Sequence, residues 1–282
     1  MVNIQLVART ANPSDRTQIA NLMYFEPHVH RHLDWRAPLD WLGASEYWVL
    51  EQSGIITAAL ACPPDPEGVA WLRLFAHSSL VPLVEAWTIL WETARTALQG
   101  RDLVVAAITV SDWFESLLVD NGFTGQQQIV VLEQNSFRFQ QPLIPSDIQI
   151  RPMSEADLPA VVLVDDAGFE RLWKNSLNTL RFGFLQAGFA TVAQINDEVV
   201  GYQISTRNSF GAHLARLAVA PQQQRHGIGY YLVQDLLNKT RLAGLQRLTV
   251  NTQSDNRASL ALYKKIGFVL TGERYTVFTY RL

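Results

Sequence analysis

Three short stretches of this chain return in the same order about half a chain length later. Gly54–Leu60 (GIITAAL) matches Glu198–Ile204 (EVVGYQI), each a β-rich run behind a turn, Gln52-Ser53-Gly54 and Asn196-Asp197-Glu198. Trp71–Phe75 parallels Leu214–Ala218, and Asn121-Gly122-Phe123 parallels Ile266-Gly267-Phe268. One match is chance; ordered matches at a near-constant offset mark a tandem duplication. In 282 residues this gives two domains of ordinary size. Gln140–Ser146 has two prolines and no helical periodicity, which suits a linker. The expected division is therefore a first domain at 1–140, a linker at 141–147 and a second domain at 148–282.

The second half reads as an ordered series of elements. Ile148–Arg151 is a strand, and Ser154-Glu155-Ala156-Asp157 is a helix start in which serine caps a free N–H. Helix follows over about 155–187. Ala190–Ile195 and Val199–Ser205 form a hairpin around Asn196-Asp197. Then come a strand over His213–Val219, a helix over Gly227–Gly244, a strand over Gln246–Thr252, a helix over Arg257–Ile266 and a closing strand or hairpin over Thr271–Leu282. Strands and helices alternating after a hairpin give a mixed α/β sheet with helices on its faces.

The stretch from Leu217 to Tyr230, LAVAPQQQRHGIGY, carries the chemistry. A strand ends at a proline, a polar loop follows, and two glycines open a helix. Glycines there let backbone approach a ligand. The first N–H groups of the helix lack internal partners and sit at the positive end of its dipole, a geometry that suits a pyrophosphate. Arg225 adds a positive charge. A ligand-free strand-to-helix turn has the same local pattern. A dinucleotide fingerprint is excluded because its third glycine is missing, and a P-loop because no lysine and Ser/Thr follow the second glycine.

Gln224-x-x-Gly227-x-Gly229 resembles the Q/R-x-x-G-x-G/A signature of the GNAT N-acetyltransferase superfamily. Asn256-Arg257-Ala258 through Leu262-Tyr263 to Gly267-Phe268 resembles that family's N-x-x-A-x-x-L-Y-x-x-x-G-F block. The resemblance covers about 148–282 well and the first half in outline. It implies two tandem GNAT-like α/β domains, each a mixed, mostly antiparallel sheet flanked by helices, with only the second catalytic. It implies acetyl-CoA as cosubstrate, no metal, and an amine acceptor: a small molecule, a peptide N-terminus or a lysine. The backbone of Leu217, Ala218 and Val219 would pair with pantetheine, the Leu217 N–H polarising the thioester carbonyl. The loop Gln224-Arg225-His226-Gly227-Ile228-Gly229-Tyr230 would hold the pyrophosphate, Asn256 would hydrogen-bond pantetheine, and Tyr263 would protonate the leaving thiolate. The strand Leu248–Thr252 lacks the glutamate that some relatives use as base. His213, Asp165, Asp166 through water, or solvent itself remain open for that role. A non-catalytic acyl-CoA sensor or scaffold is the alternative reading.

At the aligned place in the first half, Ser78–Ala86, there is no glycine, and Glu85 would repel phosphate. Val84 and Ala86 fall opposite Gly227 and Gly229, and Leu118 opposite Tyr263. Seven of the eight tryptophans (Trp35, Trp41, Trp48, Trp71, Trp87, Trp91 and Trp113) lie here, which reads first as core packing. His28, His30 and His32 would share one face of a strand, although Arg31 among them disfavours a metal. A net charge of −3 with no basic run speaks against nucleic acid or anionic membrane as partners. The single cysteine, Cys62, cannot form an intramolecular disulfide, and no leader or membrane-spanning run is seen, so a cytoplasmic protein is expected. Homodimerisation is left open.

Overall fold

The computed structural model describes residues 5–135 and 143–282, so the expected linker is covered only from residue 143. The chain divides into two compact units, 1–126 with 276–282 and 127–275. This departs from the expected 1–140 and 148–282, because two strands each contribute residues to both units.

The first unit holds β1 (Val7–Thr10), α1 (Arg16–Phe25), β2 (His28–Arg31), β3 (Tyr47–Gln52), β4 (Ile55–Ala61), β5 (Val69–Trp71), β6 (Leu74–His77), α2 (Leu83–Leu98), β7 (Val104–Ile108) and α3 (Asp112–Asp120). β8 (Thr124–Gln134) begins in this unit and continues into the second. The second unit continues with β9 (Ile148–Pro152), α4 (Leu158–Gly168), α5 (Leu177–Leu185), β10 (Phe189–Ile195), β11 (Glu198–Asn208), β12 (Gly211–Val219), α6 (Ile228–Leu242), β13 (Leu248–Gln253) and α7 (Arg257–Ile266). β14 (Val269–Arg281) starts there and ends in the first unit.

Strand order in the first unit is β1-β3-β4-β6-β2, all antiparallel. Beside it β7 pairs parallel with β5 and antiparallel with Val277–Arg281 of β14. In the second unit the order is β8-β13-β12-β11-β10-β9, and only β12–β13 is parallel. Each unit is thus the mixed, mostly antiparallel α/β fold that the sequence implies.

The repeat is physical as well as textual. The β3–β4 hairpin turns on Ser53 and Gly54 (φ 51° and 83°), and the β10–β11 hairpin on Asn196 and Asp197 (φ 50° and 65°). Two left-handed residues in a two-residue loop match the twist of the flanking strands. After two residue pairs from the turn, a bulge appears in both hairpins. Both units also open with a capping box, Asn12 with Asp15 and Ser154 with Asp157. In each, the capping acid takes an arginine from the preceding strand: Arg9–Asp15 at 2.7 Å and Arg151–Asp157 at 2.6 Å.

The first core gathers Trp48, Trp87, Trp91, Phe75, Phe114 and Phe123 under α2 and α3. The tryptophan-rich first half is therefore packing, as its composition suggests. In the second unit Val233, Leu236 and Leu237 of α6 and Tyr263 and Ile266 of α7 cover Leu214, Leu248 and Val250. Leu236 and Leu248 are fully buried, and each such side chain contributes about 2 kcal/mol. The Cys62 thiol is buried, which pushes its pKa up. No helix among the described residues is long and apolar enough to cross a membrane.

Candidate functional site

The site begins where two parallel strands part. β12 and β13 pair at Ala212–Leu248, His213–Thr249 and Leu214–Val250, and no further. At the same point the β11–β12 register shifts, so that Ala215 has no partner on β11. Such a bulge bends the strand. The Ala220 N–H donates to Val200 O at 2.8 Å, toward β11. Backbone groups alternate along a strand, so Ala218 also faces β11, while Leu217 and Val219 turn their N–H and C=O to the opposite edge, into the fork. Among the described residues no strand lies against that edge. The Val219 carbonyl is met instead by the Gln224 side-chain amide, 3.1 Å away.

The loop after β12 delivers the helix start. Pro221–Gln223 make a single 3-10 turn, Arg225 is left-handed (φ 66°), and Gly227 at the N-cap of α6 is left-handed again (φ 84°). A Cβ on Gly227 would lie 3.1 Å from the Tyr231 ring. A Cβ on Gly229 would lie 3.4 Å from Leu262 and 3.8 Å from Val219. Tyr231 is the residue whose N–H closes onto Gly227 O, at 3.0 Å. The amides of Ile228, Gly229 and Tyr230 come before it and fall among those a helix leaves without internal partners. Gln224, Arg225 and His226 are exposed, whereas the Ile228 side chain is core. Ile228 can therefore offer a ligand its backbone only. The Tyr230 ring is half-buried and receives Lys265 Nζ at 5.1 Å from its centre.

Tyr263 sits on α7 with its ring 5.5 Å from Phe268. It is 4% exposed, and burial pushes its phenol pKa up. The group thus stays protonated at neutral pH and has a proton to give. Asn256 is the N-cap of α7: its Oδ1 accepts the Ser259 N–H at 3.1 Å, and its Nδ2 points to Gln253 Oε1 at 3.4 Å. The oxygen therefore caps the helix, and the amide nitrogen meets the side chain at the end of β13.

The base candidates separate sharply. Asp165 is fully buried and spoken for. It takes Arg216 Nε at 2.7 Å and Nη2 at 2.8 Å, the Tyr202 hydroxyl, and the Asn175 N–H at 2.9 Å. A carboxylate with four donors has no lone pair to spare for an amine, so the structure removes it from the candidates. Asp166 is exposed and lies 3.5 Å from Lys174. His213 Nδ1 lies 2.8 Å from Thr249 Oγ1 at the base of the fork, and burial lowers its pKa. It is the one candidate both neutral and beside the fork. The Arg216–Asp165 pair and the Gln224–Val219 contact went unread in the sequence. Arginine at matching places in the second repeated stretch, Arg73 and Arg216, was the available signal.

The first unit repeats the fork and then fills it. β5 and β7 pair at Val69–Val104, Ala70–Val105 and Trp71–Ala106, again three parallel pairs. Beyond them the edge of β6 is taken by β2, with His28–His77, Val29–Ala76, His30–Phe75 and Arg31–Leu74 in register. The following loop receives the Glu26 carboxylate, which accepts Ser78 Oγ at 2.9 Å and the Ser79 N–H at 3.1 Å. Ser78 donates to Thr57 O as Ala220 does to Val200 O. From Ser78 the loop takes five residues to the N-cap Pro82; from Ala220 it takes eight to the N-cap Gly227. The expected pairing of Val84 and Ala86 with the glycines is thus corrected by this three-residue shortening. Counted from the helix start, Pro82 stands at Gly227 and Val84 at Gly229. The alternating histidines pack on aromatics: His28 edge-on against Trp113, His30 stacked on Phe114 and His32 stacked on Trp71. No cluster of metal-ligating side chains occurs among the described residues.

Residues 158–268, from the start of α4 to just past the end of α7, match the acetyltransferase (GNAT) family. The chain carries a GNAT domain. That GNAT domain contains the fork, the glycine loop and Tyr263. Over 119 residues the chain is 25% identical to the [ribosomal protein bS18]-alanine N-acetyltransferase of Escherichia coli K12, spanning 42% of this chain and 79% of that protein. Among solved structures, the tandem GNAT protein from the clavulanic acid biosynthesis pathway superposes with a TM-score of 0.65 at 15% identity, over 98% of both chains. A GCN5-related N-acetyltransferase from Sphaerobacter thermophilus gives 0.63 at 16% identity, over 98% of this chain and 95% of that one. At these identities the likeness is one of fold, and it spans both units.

Proposed function

We propose that the second unit transfers an acetyl group from acetyl-CoA to a primary amine, and that the first unit is a GNAT-like partner without a coenzyme site. The observation that carries this reading is the unpaired edge of Leu217 and Val219 beside the left-handed Gly227 loop. An extended pantetheine arm fits an open strand edge, and a pyrophosphate fits free helix-start amides with Arg225 beside them. Pairing of pantetheine at Val219 O requires the Gln224 amide to move aside, leaving Gln224 free to face the cofactor with His226 and Tyr230.

In the reaction the amine lone pair attacks the thioester carbonyl carbon. The carbonyl oxygen gains charge and is stabilised by the Leu217 N–H. The C–S bond breaks, the electron pair leaves on sulfur, and Tyr263 supplies its proton. The amine gives up one proton to His213 or to solvent, and no metal is needed. Asn256 holds α7, and hence Tyr263, in place. The acceptor is a small-molecule amine, a lysine or a peptide N-terminus; the bS18-alanine relative favours trying N-termini early.

A specific observation supports a second reading, that of an acyl-CoA-binding sensor: β13 (Leu248–Gln253) carries no carboxylate. Thiol release from acetyl-CoA, measured over amines and peptides together with calorimetric titration of the cofactor, separates the two. Binding with amine-stimulated thiol release supports the enzyme, binding alone supports the sensor, and no binding removes both.

A further inference from the structure

We propose that Arg216 and Asp165 shape the acceptor side of the site by pinning the segment Phe169–Trp173, and so act as positioning residues. The inference rests on the reading that the thioester lies along Leu217 and Val219. Arg216 precedes Leu217 on β12 and points to the α4 side of the sheet. Its side chain is 10% exposed and that of Asp165 is 0% exposed. Two of its nitrogens bind the Asp165 carboxylate, and Nη2 also donates to the Trp173 carbonyl. The guanidinium lies 3.4 Å from the centre of the Phe169 ring. Asp165 holds the far end of the same segment through the Asn175 N–H, and the Trp173 indole N–H reaches Gln127 Oε1 at 2.9 Å. One ion pair therefore fixes the connection between α4 and α5 at Phe169, Trp173 and Asn175.

That connection starts against the reactive edge. A Cβ on Gly168 would lie 3.5 Å from the Ala218 side chain and 3.9 Å from Val219 O. The next residues therefore run beside the place where an amine must approach the carbonyl. Phe169 and Trp173 are half-buried, and Glu170 and Arg171 are exposed. A buried ion pair adds little net stability over an apolar pair of the same shape. Its geometry, a planar fork with a stacking face, is what lysine or an apolar residue cannot copy. A shift of a wall by about 1 Å at such a site costs on the order of 100-fold in rate.

The test uses the full chain in three forms: unaltered, Phe169→Ala, and the double variant Arg216→Met with Asp165→Leu, which leaves no lone buried charge. Acetyl-CoA affinity is read by calorimetry. Amine kinetics are read with spermidine, glucosamine and a tetrapeptide bearing a free N-terminus. Amide hydrogen exchange is followed across 169–176. Both variants are expected to keep acetyl-CoA affinity within about threefold, to raise the amine KM about tenfold or more, and to exchange faster than the unaltered chain at 169–176 while α6 exchanges as before. Unchanged exchange in that segment, or amine kinetics unchanged in a folded variant, overturns the proposal. So does a loss of acetyl-CoA affinity that parallels the loss of turnover. Failure of the unaltered chain to bind acetyl-CoA instead overturns the acetyltransfer reading beneath it.

Discussion

Tyr263 and Leu118 hold the same place in their units: the carbonyl of each accepts the N–H of a phenylalanine five residues on, Phe268 at 2.9 Å and Phe123 at 3.0 Å. A left-handed glycine, Gly267 or Gly122, makes the turn between them. This turn is common to both units, and the hydroxyl is what the second unit adds at this place. Tyr263→Phe keeps the ring on Phe268 and removes the proton donor. Turnover should fall roughly 10²–10⁴-fold with cofactor affinity kept. Steady-state kinetics with calorimetry check this, and unchanged turnover would take Tyr263 out of the mechanism.

Gly227→Ala should weaken acetyl-CoA binding by more than it destabilises the fold. The substitution places a Cβ 3.1 Å from the Tyr231 ring, in a left-handed conformation that costs a non-glycine residue about 1 kcal/mol. Gly244→Ala is the control, since Gly244 is also left-handed (φ 73°) with nothing within 4 Å. Comparable melting shifts in the two variants, with affinity lost only at Gly227, are expected. Equal affinities would make the loop a turn and nothing more.

The full chain should bind one coenzyme A, and Gly227→Val should abolish all of it. The edge of β6 already carries β2, and the shortened loop already holds the Glu26 carboxylate. A second cofactor would have to displace four residue pairs and an internal anion. Calorimetric stoichiometry decides the point; residual binding of one equivalent in the Gly227→Val chain would show that the first unit is open.

Acid should release stability through Asp15 and Asp157 together. Arg9 and Arg151 respectively, by hydrogen bonding, hold these carboxyls below their ordinary range. A carboxyl depressed in the folded state gives stability that is full above its unfolded pKa of about 4 and is lost as pH falls through the folded value. Asp157→Asn should therefore lower Tm at neutral pH, and the gap to the unaltered chain should close as the solution is acidified. A gap independent of pH would mean that the pair contributes packing alone.

The element order of the second unit was legible because its signals are local. The Asn196-Asp197 turn, the Ser154 cap and the glycine loop each act within a few residues. The Tyr263–Leu118 match was legible too, since no insertion separates it from the repeated Gly-Phe. The fork was not. It depends on where β12 stops pairing, and the bulge at Ala215 leaves no mark in composition. Asp165 read as a free acid because its arginine lies 51 residues away. The loop alignment slipped because a three-residue shortening shows only once both strand ends are fixed. His28–Arg31 drew notice as histidines, when its consequence lies in its backbone, which closes an edge.

The pairing of Val277–Arg281 with β7 sets an order of events during synthesis. The first unit is encoded early, yet its last strand is made only after the whole of the second unit. Until then β7 has β5 on one side and no partner on the other, so the earlier-made unit is the later one to finish. A fragment beginning at Ile148 would meet the reciprocal problem. It lacks Ile129–Gln134, which pair with β13, and it carries a terminal segment whose own strand was left behind. An uncovered β13 edge in such a fragment invites association with other chains.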